Sequence, residues 1–239
     1  MSGTPFFSKL LDGLENFDSG LEKLKRQTDI RFIPWKTLHN LREIAPLIPE
    51  SYDILFSPPK KIADIGAADG DISFFLESNG HICDMYDYAA INWNGLRGAR
   101  AIKQMRNSNV RIFDMDLNAQ FSLNSEYDII FLFGVLYHLK NPFYMLETCS
   151  TVAKYLFLST RIAKRFRLGA PDVSTFPAAY LLGPDEANND ATNYWVFTEA
   201  GLRRLIERTG WSIIGYRATG SGDGVVPVFV EICSAGIAG

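Results

Sequence analysis

Residues 60–71 read KKIADIGAADGD, and an apolar helical pattern begins directly after them at Ile72. The first half of this stretch is a short apolar strand, and the second half is a turn built from small residues. Gly66 and Gly70 let the backbone approach a ligand at points where a Cβ atom would collide. A buried strand, a glycine turn and a helix N-terminus together predict a site for a nucleotide-type cofactor.

Two spacings of small residues compete in this turn. The dinucleotide-binding fingerprint requires small residues at positions one, three and six, but the sixth position counted from Gly66 is Asp71. The alternative spacing Asp-x-Gly-x-Gly-x-Gly fits Asp64, Gly66, Ala68 and Gly70, with one alanine in place of a glycine. That spacing resembles the first motif of the class I S-adenosylmethionine-dependent methyltransferases. A plain βα turn has a similar composition, so the rest of the chain has to decide.

The composition is that of an ordinary globular protein of 239 residues, with 47% hydrophobic and 21% charged residues. This length suits one domain with elaborations. The net charge of −3 provides no general attraction for nucleic acid or for an anionic membrane. Three cysteines lie far apart in apolar segments, and no apolar run reaches the roughly 18–20 residues of a membrane span. We therefore expect a cytoplasmic protein with reduced cysteines, no bound metal and no contact with membranes.

Strands and helices alternate along the middle of the chain. Apolar runs predict five strands, at 60–65, 81–87, 110–114, 127–133 and 154–160, with an amphipathic helix over 93–106 among the helices between them. This alternation predicts a parallel, right-handed, doubly wound sheet. Two further strands, 211–218 and 225–233, are joined by a loop too short for a crossover helix, so they are predicted to be antiparallel. The predicted α/β fold is Rossmann-like, with a mostly parallel seven-stranded sheet whose last strand is antiparallel.

The flanking segments define the domain organisation. Residues 1–50 are predicted to be an N-terminal helical extension, with amphipathic helices over 6–27 and 35–44, and residues 51–239 form the main domain. About 161–196 has little regular pattern. An irregular insertion of this length in a compact domain is more often a functional lid than an idle loop.

Five βα units that end in an antiparallel pair resemble the class I methyltransferases and differ from a dinucleotide dehydrogenase. Residues 134–142, Gly-Val-Leu-Tyr-His-Leu-Lys-Asn-Pro, are similar to the fourth-strand motif of methyltransferases related to the bacterial tRNA wobble-uridine carboxymethyltransferase. Asp87 followed by Asn92-Trp93 also resembles that group. The carboxymethyltransferase holds a carboxylated cofactor with additional cations, including a late arginine, whereas 225–233 contains no Lys or Arg. We therefore expect ordinary methyl transfer from S-adenosylmethionine, with S-adenosylhomocysteine as the product.

The position of Asp87 at the end of the second strand places its carboxylate where a ribose diol would lie. By spacing, Asp116 is predicted to accept from the adenine amino group, with Leu117 packed on the ring. The resemblance implies the remaining cofactor contacts, and Asp64 is expected to meet an amine or the N–H groups of the turn. Phe133 or Gly134 is implied to offer a backbone carbonyl to the cofactor's amino group. The other predicted cofactor-binding residues are Asp64, Gly66, Ala67, Ala68 and Gly70 at the methionine part, Asp87 with the adjacent Tyr88 at the ribose, and Asp116 and Leu117 at the adenine.

Two residues of the fourth-strand motif are candidates for catalysis. His138 is the candidate general base, because imidazole titrates near neutral pH; the alternative is a helix-capping or buried structural histidine. Tyr137 matches a family residue that touches the cofactor or its transferred group, although packing against the lid would also explain it.

Two groups of residues in the insertion are candidates for binding the acceptor. Asn193, Tyr194 and Trp195 are predicted to line its pocket, with core anchoring as the alternative. Arg161 belongs to a basic cluster with Lys164, Arg165 and Arg167, which suits a carboxylate, a phosphate or an RNA backbone unless it is a solvated loop.

Three hypotheses follow for the function. The first is methyl transfer to an O or N nucleophile of a small-molecule acceptor. The second is a tRNA- or RNA-modifying methyltransferase, favoured by the basic cluster and by the resemblance of the fourth-strand motif. The third is a non-catalytic protein that binds S-adenosylmethionine. The oligomeric state does not follow from the sequence.

Overall fold

A single β-sheet runs through the computed structural model, which describes residues 5–49, 56–165, 171–187, 189–218 and 225–234. Its first five strands are parallel and lie in the order β3-β2-β1-β4-β5. They are β1 (Lys61–Ile65), β2 (Ile82–Asp87), β3 (Arg111–Asp114), β4 (Tyr127–Phe133) and β5 (Ala153–Ala163). All five agree with the predicted strands to within a few residues at each end.

The last two strands complete the sheet in the predicted manner. β8 (Trp211–Ala218) pairs with β9 (Val225–Ser234) in the antiparallel sense. β9 also pairs antiparallel with β5, so it lies between β5 and β8. The seven strands therefore form a mostly parallel sheet with an antiparallel last strand, which confirms the predicted fold class.

Helices cover both faces of the sheet. They are α4 (Asp71–Ser78), α5 (Arg97–Arg106), α6 (Pro142–Val152) and α7 (Glu199–Arg208). Successive residues of β4 alternate between two cores: Ile129 and Phe131 face the α4–α5 side, whereas Ile130 and Leu132 face the α6–α7 side. This alternation explains the continuous apolar run of β4, since a strand covered on both faces needs apolar residues at every position.

The N-terminal helices α1 (Pro5–Asp12), α2 (Leu14–Lys25) and α3 (His39–Ile44) pack on the α4–α5 side. Phe17 of α2 makes an edge contact with Phe75 of α4, with ring centroids 5.2 Å apart. The predicted helix over 35–44 begins later, at His39. α5 also begins later than predicted, because Gly95 and Leu96 both have positive φ and cannot continue a right-handed helix.

The insertion over 161–196 is more regular than predicted. Its first residues belong to β5, and it contains a small hairpin of β6 (Ala179–Leu181) and β7 (Trp195–Phe197). β7 meets the sheet through a parallel pairing of Phe197 with Ile162. Three-residue strands are too short to show a period-two pattern, which is why the sequence did not predict them. Arg167 of the predicted basic cluster lies outside the described residues.

Candidate active site

The turn after β1 is held in a left-handed conformation at two glycines. Gly66 has φ +70°, and a Cβ atom built on it would lie 2.1 Å from a methyl carbon of Val135. The Gly66 N–H donates to the carbonyl of Tyr86 at 2.8 Å, which ties the turn to β2. Gly70 has φ +80° and precedes α4 as its N-cap residue. Glycine is therefore required at both ends of the turn.

Ala68, the alanine in the third motif position, also takes a left-handed conformation, with φ +56°. This conformation costs a non-glycine residue about 1–2 kcal/mol. The Ala68 N–H donates to Oδ2 of Asp87 at 2.7 Å, a bond to a carboxylate that offsets part of the cost. The turn and the end of β2 are thus joined by a charge-assisted hydrogen bond.

Both carboxylate oxygens of Asp87 already accept hydrogen bonds from the protein. Besides Ala68, the Tyr88 N–H donates to Oδ1 at 2.7 Å. Burial raises the pKa of Asp87, and the hydrogen bonds from Ala68, Tyr88 and Asn92 oppose that rise. A carboxylate has roughly four acceptor positions, so Asp87 retains capacity for a ligand hydroxyl while its orientation is fixed.

Asp64 lies below the turn and does not face its N–H groups. Its carboxylate is 3% exposed and accepts a hydrogen bond from the Ser73 hydroxyl of α4 at 2.8 Å. Burial raises the pKa of Asp64 to about 7. The expected contact of this carboxylate with the turn is therefore replaced by a contact with the first turn of α4.

Two further buried carboxylates connect the turn to the N-terminal extension. Asp69 accepts from the Ile33 N–H at 2.6 Å and from the Asn94 side-chain amide at 2.7 Å. Asp71 forms a buried ion pair with Lys25 of α2 at 2.8 Å, and burial raises the pKa of Asp71 to about 6. These contacts tie the turn to residues 25 and 33 of the N-terminal extension.

Asp116 and Leu117, predicted to hold the adenine, follow β3, whereas Phe133 and Gly134, predicted to offer a backbone carbonyl, lie at the end of β4. Oδ1 of Asp116 accepts from the Asn118 N–H at 2.9 Å, and Leu117 is half-buried against the α6–α7 core. Phe133 packs on Phe131, with ring centroids 5.3 Å apart. Gly134 has φ +70°, and a Cβ atom built there would have only the Tyr137 hydroxyl within 4 Å, at 3.7 Å. The space beside Gly134 is therefore open.

Tyr137 and His138 lie in the short helical turn that follows β4 (Leu136–His138), and their rings are 4.2 Å apart. The guanidinium of Arg161 in β5 lies 5.1 Å from the centre of the Tyr137 ring. The Tyr194 N–H donates to the Tyr137 carbonyl at 2.9 Å. Four predicted site residues, from β4, β5 and the insertion, are thus brought together.

His138 is in contact with Thr192 of the insertion. Its Nδ1 lies 3.1 Å from the Thr192 carbonyl and 3.0 Å from the Thr192 hydroxyl. Burial lowers the pKa of His138; the contact with Thr192 and the charge of Asp190 oppose that change, and the nearby Arg161 adds to it. Thr192 and its partner Asp190 were missed by sequence analysis, although Asp-x-Thr is a spacing at which the two side chains bond locally.

Two predicted acceptor-binding residues do not join this group. Asn193 is 4% exposed, and its side-chain N–H groups donate to the carbonyls of Ala187 and Asp190, so it holds the insertion together. Trp195 packs against the α6–α7 core and lines a separate groove of about 340 Å³ beside Phe143. Neighbouring residues of an extended chain point to opposite sides, which separates Trp195 from Tyr194.

Metal-ligating side chains and long apolar helices are the last features to consider in the described ranges. There, no group of three or more His, Cys, Asp or Glu side chains is arranged to hold a metal ion. None of the helices there has the length and apolar character needed to cross a bilayer. Cys83 and Cys149 are buried free thiols.

The strand order, the glycine turn after β1 and the acidic residue at the end of β2 define a class I S-adenosylmethionine-dependent methyltransferase. A family model described as a methyltransferase domain matches residues 36–215, and the chain belongs to this family. The match confirms the predicted class and its cofactor. A comparison with curated proteins finds no match.

Solved structures share the fold at low sequence identity. The N-terminal domain of EvdMO1, crystallised in the presence of S-adenosylhomocysteine and D-fucose, is 15% identical, with 92% of this chain and 96% of that chain covered and a TM-score of 0.61. A S-adenosylmethionine-dependent methyltransferase from Mesorhizobium loti is 13% identical, with coverages of 81% and 97% and a TM-score of 0.61. Magnesium protoporphyrin IX methyltransferase from Synechocystis PCC 6803 with bound S-adenosylmethionine is 16% identical, with coverages of 98% and 86% and a TM-score of 0.51. None of these findings supports the finer resemblance to the tRNA wobble-uridine carboxymethyltransferase.

Proposed function

We propose that the protein transfers the methyl group of S-adenosylmethionine to an O or N nucleophile of a small-molecule acceptor, with His138 as general base. The observation that carries the proposal is the position of His138. It follows β4 beside Tyr137 and Arg161, while the glycine turn and Asp87 follow the neighbouring strands β1 and β2. Ligands of open α/β sheets bind outside the carboxyl ends of such strands.

The residues of the crevice fit this cofactor. The turn over 66–70 would hold its methionine part, Asp87 with Tyr88 its ribose, and Asp116 with Leu117 its adenine. Phe133 or Gly134 would offer a backbone carbonyl to its amino group. When bound, S-adenosylmethionine supplies a methyl group that is already activated by a positively charged sulfur. Buried carboxylates around the turn and the open space beside Gly134 are compatible with a cationic nucleoside.

The chain's own contribution is to position the acceptor, exclude water and accept a proton. Tyr137 offers a ring surface for the acceptor, Arg161 offers a positive charge, and the main chain of Tyr194 holds the insertion against Tyr137. Neutral imidazole at pH 7 is the form that can accept a proton. We propose that the segment over 161–196 serves as a lid on the main domain, 51–239, and that residues 1–50 are a helical extension that supports the turn.

The charges around the basic cluster of the insertion favour a small acceptor over RNA. Hydrogen bonds from Ser174 lower the pKa of Asp172, and the nearby Arg165 and Lys164 lower it further, so the basic cluster is partly balanced within the insertion. Arg161 is engaged with Tyr137. The neighbours named above include one crystallised with a sugar and one named for a porphyrin, and both of these are small molecules.

Two measurements test the proposal. Isothermal titration with S-adenosylmethionine should give saturable heat, and the absence of both heat and a thermal shift at millimolar cofactor would contradict it. Release of S-adenosylhomocysteine should then be followed with hydroxyl- and amine-bearing small molecules and with bulk tRNA. Turnover on tRNA alone, with binding that falls steeply with salt, would favour the RNA alternative. Binding without turnover on any acceptor would favour a non-catalytic protein.

A further inference from the structure

Three residues form a continuous chain of hydrogen bonds that ends at the imidazole of His138. The hydroxyl of Thr192 donates to Oδ1 of Asp190 at 2.6 Å, and the Thr192 N–H donates to the same oxygen at 2.9 Å. On its other side, the Thr192 hydroxyl oxygen lies 3.0 Å from Nδ1 of His138. The Thr192 carbonyl is 3.1 Å from the same nitrogen. Asp190 and His138 are therefore linked through a single threonine.

This arrangement fixes which nitrogen of His138 carries the proton. A carbonyl oxygen can only accept, so Nδ1 must donate to the Thr192 carbonyl. The hydroxyl proton of Thr192 is already given to Asp190, so the hydroxyl oxygen faces Nδ1 as a second acceptor. The neutral imidazole thus holds its hydrogen on Nδ1 and has its lone pair on Nε2.

The charges around His138 keep this arrangement in place at neutral pH. Burial opposes ionisation of Asp190, but the hydrogen bonds from Thr192 hold the pKa of Asp190 below its ordinary value. Asp190 faces the imidazole from the insertion and favours its protonation, whereas Arg161 faces it from β5 and disfavours protonation. The ring of Tyr137 lies against it from the same turn. Asp190 is therefore a carboxylate poised to stabilise a proton on the imidazole.

The presence of a neutral base that is held in position indicates which class of acceptor the site would use. A neutral amine becomes a stable ammonium when it is methylated, and a carboxylate has no proton to lose, so neither needs a base at the moment of attack. A hydroxyl becomes a strongly acidic oxonium unless a base removes its proton. Such a base is therefore expected where the nucleophile is a hydroxyl.

We infer that Asp190 and Thr192 are positioning residues that hold His138 with Nε2 free to accept a proton, and that the acceptor nucleophile is a hydroxyl group. This inference rests on the proposed function. In the step, the hydroxyl oxygen bonds to the methyl carbon, the carbon–sulfur bond breaks with its electron pair remaining on sulfur, and the hydroxyl proton moves to Nε2. The imidazolium then releases that proton to solvent.

The tautomer can be tested without cofactor or acceptor. In protein labelled with ¹⁵N-histidine, the two ring-nitrogen shifts of His138 should show the hydrogen on Nδ1 in the wild type. Asp190→Asn should lower the pKa of His138, because a negative charge facing the ring is lost. A wild-type ring that carries its hydrogen on Nε2 would overturn the positioning role, whatever the enzyme's activity.

Kinetics provide the second test. Thr192→Val and Asp190→Asn should each lower kcat by about tenfold or more with little change in the KM for S-adenosylmethionine, and Thr192→Ser should restore kcat because it keeps the hydroxyl. The acidic limb of the pH–rate profile should move to lower pH in Asp190→Asn. Asp172→Asn is a matched control, since Asp172 accepts from Ser174 in the same local pattern without facing a histidine. Equal loss of rate in Asp172→Asn would contradict the inference.

The acceptor class is decided by the products. O-methylated products formed by the wild type, with a large loss of rate in His138→Gln, would support a hydroxyl acceptor. If only amines or carboxylates were methylated, and His138→Gln did not change the rate, the hydroxyl acceptor would be overturned. The proposal of methyl transfer itself would stand. Failure to bind S-adenosylmethionine at all would instead be the failure of the proposed function.

Discussion

Asp87 has both carboxylate oxygens bonded to main-chain N–H groups, those of Ala68 and Tyr88. Such bonding fixes the carboxylate before any ligand arrives, so no side-chain entropy is lost when a hydroxyl binds. The sequence predicted the residue from its place at the end of a strand. It did not predict that the same carboxylate would also hold Ala68 in its left-handed conformation.

Replacing Asp87 by alanine should raise the Kd for S-adenosylmethionine at least about 100-fold, because a charge-assisted contact to the ribose and the anchor of the turn are lost together. Isothermal titration measures this change. Asp114→Asn at the end of the neighbouring strand is the control, since that carboxylate is 43% exposed and its partners are Ala89 and Arg100. A Kd within about threefold of the wild type in Asp87→Ala would exclude the ribose contact.

Asp64 should make the free protein less stable as the pH rises. Burial raises its pKa to about 7 from an ordinary value of 3.8. Between these values the folded state binds more protons than the unfolded state, so the free energy of unfolding falls from about pH 4 to pH 7. Asp64→Asn should raise that free energy at pH 8 by on the order of 4 kcal/mol, with the gain shrinking towards pH 4. Urea denaturation at several pH values tests this. If the free energy of unfolding changed equally with pH in the wild type and in Asp64→Asn, the prediction would be contradicted.

One physical reason explains why sequence analysis missed Asp190 and Thr192. Asp190 and Thr192 act on a histidine that is 54 positions away from Thr192 in the chain. Their local Asp-x-Thr spacing predicts a turn and carries no information about which side chain will lie opposite. The proximity of Tyr137, His138 and Arg161 was predictable because each follows or belongs to a parallel strand, and such strands end at one edge of a sheet.

At the scale of elements, the turn after β1 packs against the segment after β4 at Gly66, where there is no side chain to collide with Val135. Gly66→Ala should lower the free energy of unfolding by more than about 2 kcal/mol, because the new methyl group would collide with Val135 and because φ is +70°. Chemical denaturation measures the loss. The double variant with Val135→Ala should recover only the part caused by the collision. Full recovery would show that the backbone conformation carries no cost.

Element boundaries were predictable where packing alone decides them. β4 shows a continuous apolar run because both of its faces are covered. The start of α5 was not predictable from periodicity, since the side chains of Asn92 and Asn94 bond the main chain of the preceding loop and of the first helical turn. Polar side chains that compete for main-chain groups displace a helix start in a way that apolar spacing cannot indicate.

For the whole molecule, the buried ion pair of Lys25 and Asp71 joins the N-terminal extension to the main domain. Lys25→Met should lower the free energy of unfolding by about 3 kcal/mol, because it leaves a buried carboxylate without its cation. Adding Asp71→Asn should recover most of that loss. The test is a double-mutant cycle, in which the free energy of unfolding is measured for the wild type, both single variants and the double variant. If the two single losses simply add in the double variant, a direct coupling of Lys25 and Asp71 is contradicted.

The placement of β9 between β5 and β8 has a consequence for synthesis. In the described part of the chain, β8 pairs only with β9, and β9 follows it in sequence. While the chain is still attached to the ribosome, β8 emerges without a hydrogen-bonding neighbour, and one edge of β5 stays open alongside it. Closure of the sheet therefore waits for β9, and until β9 is available a chaperone has two bare strand edges to shield from aggregation.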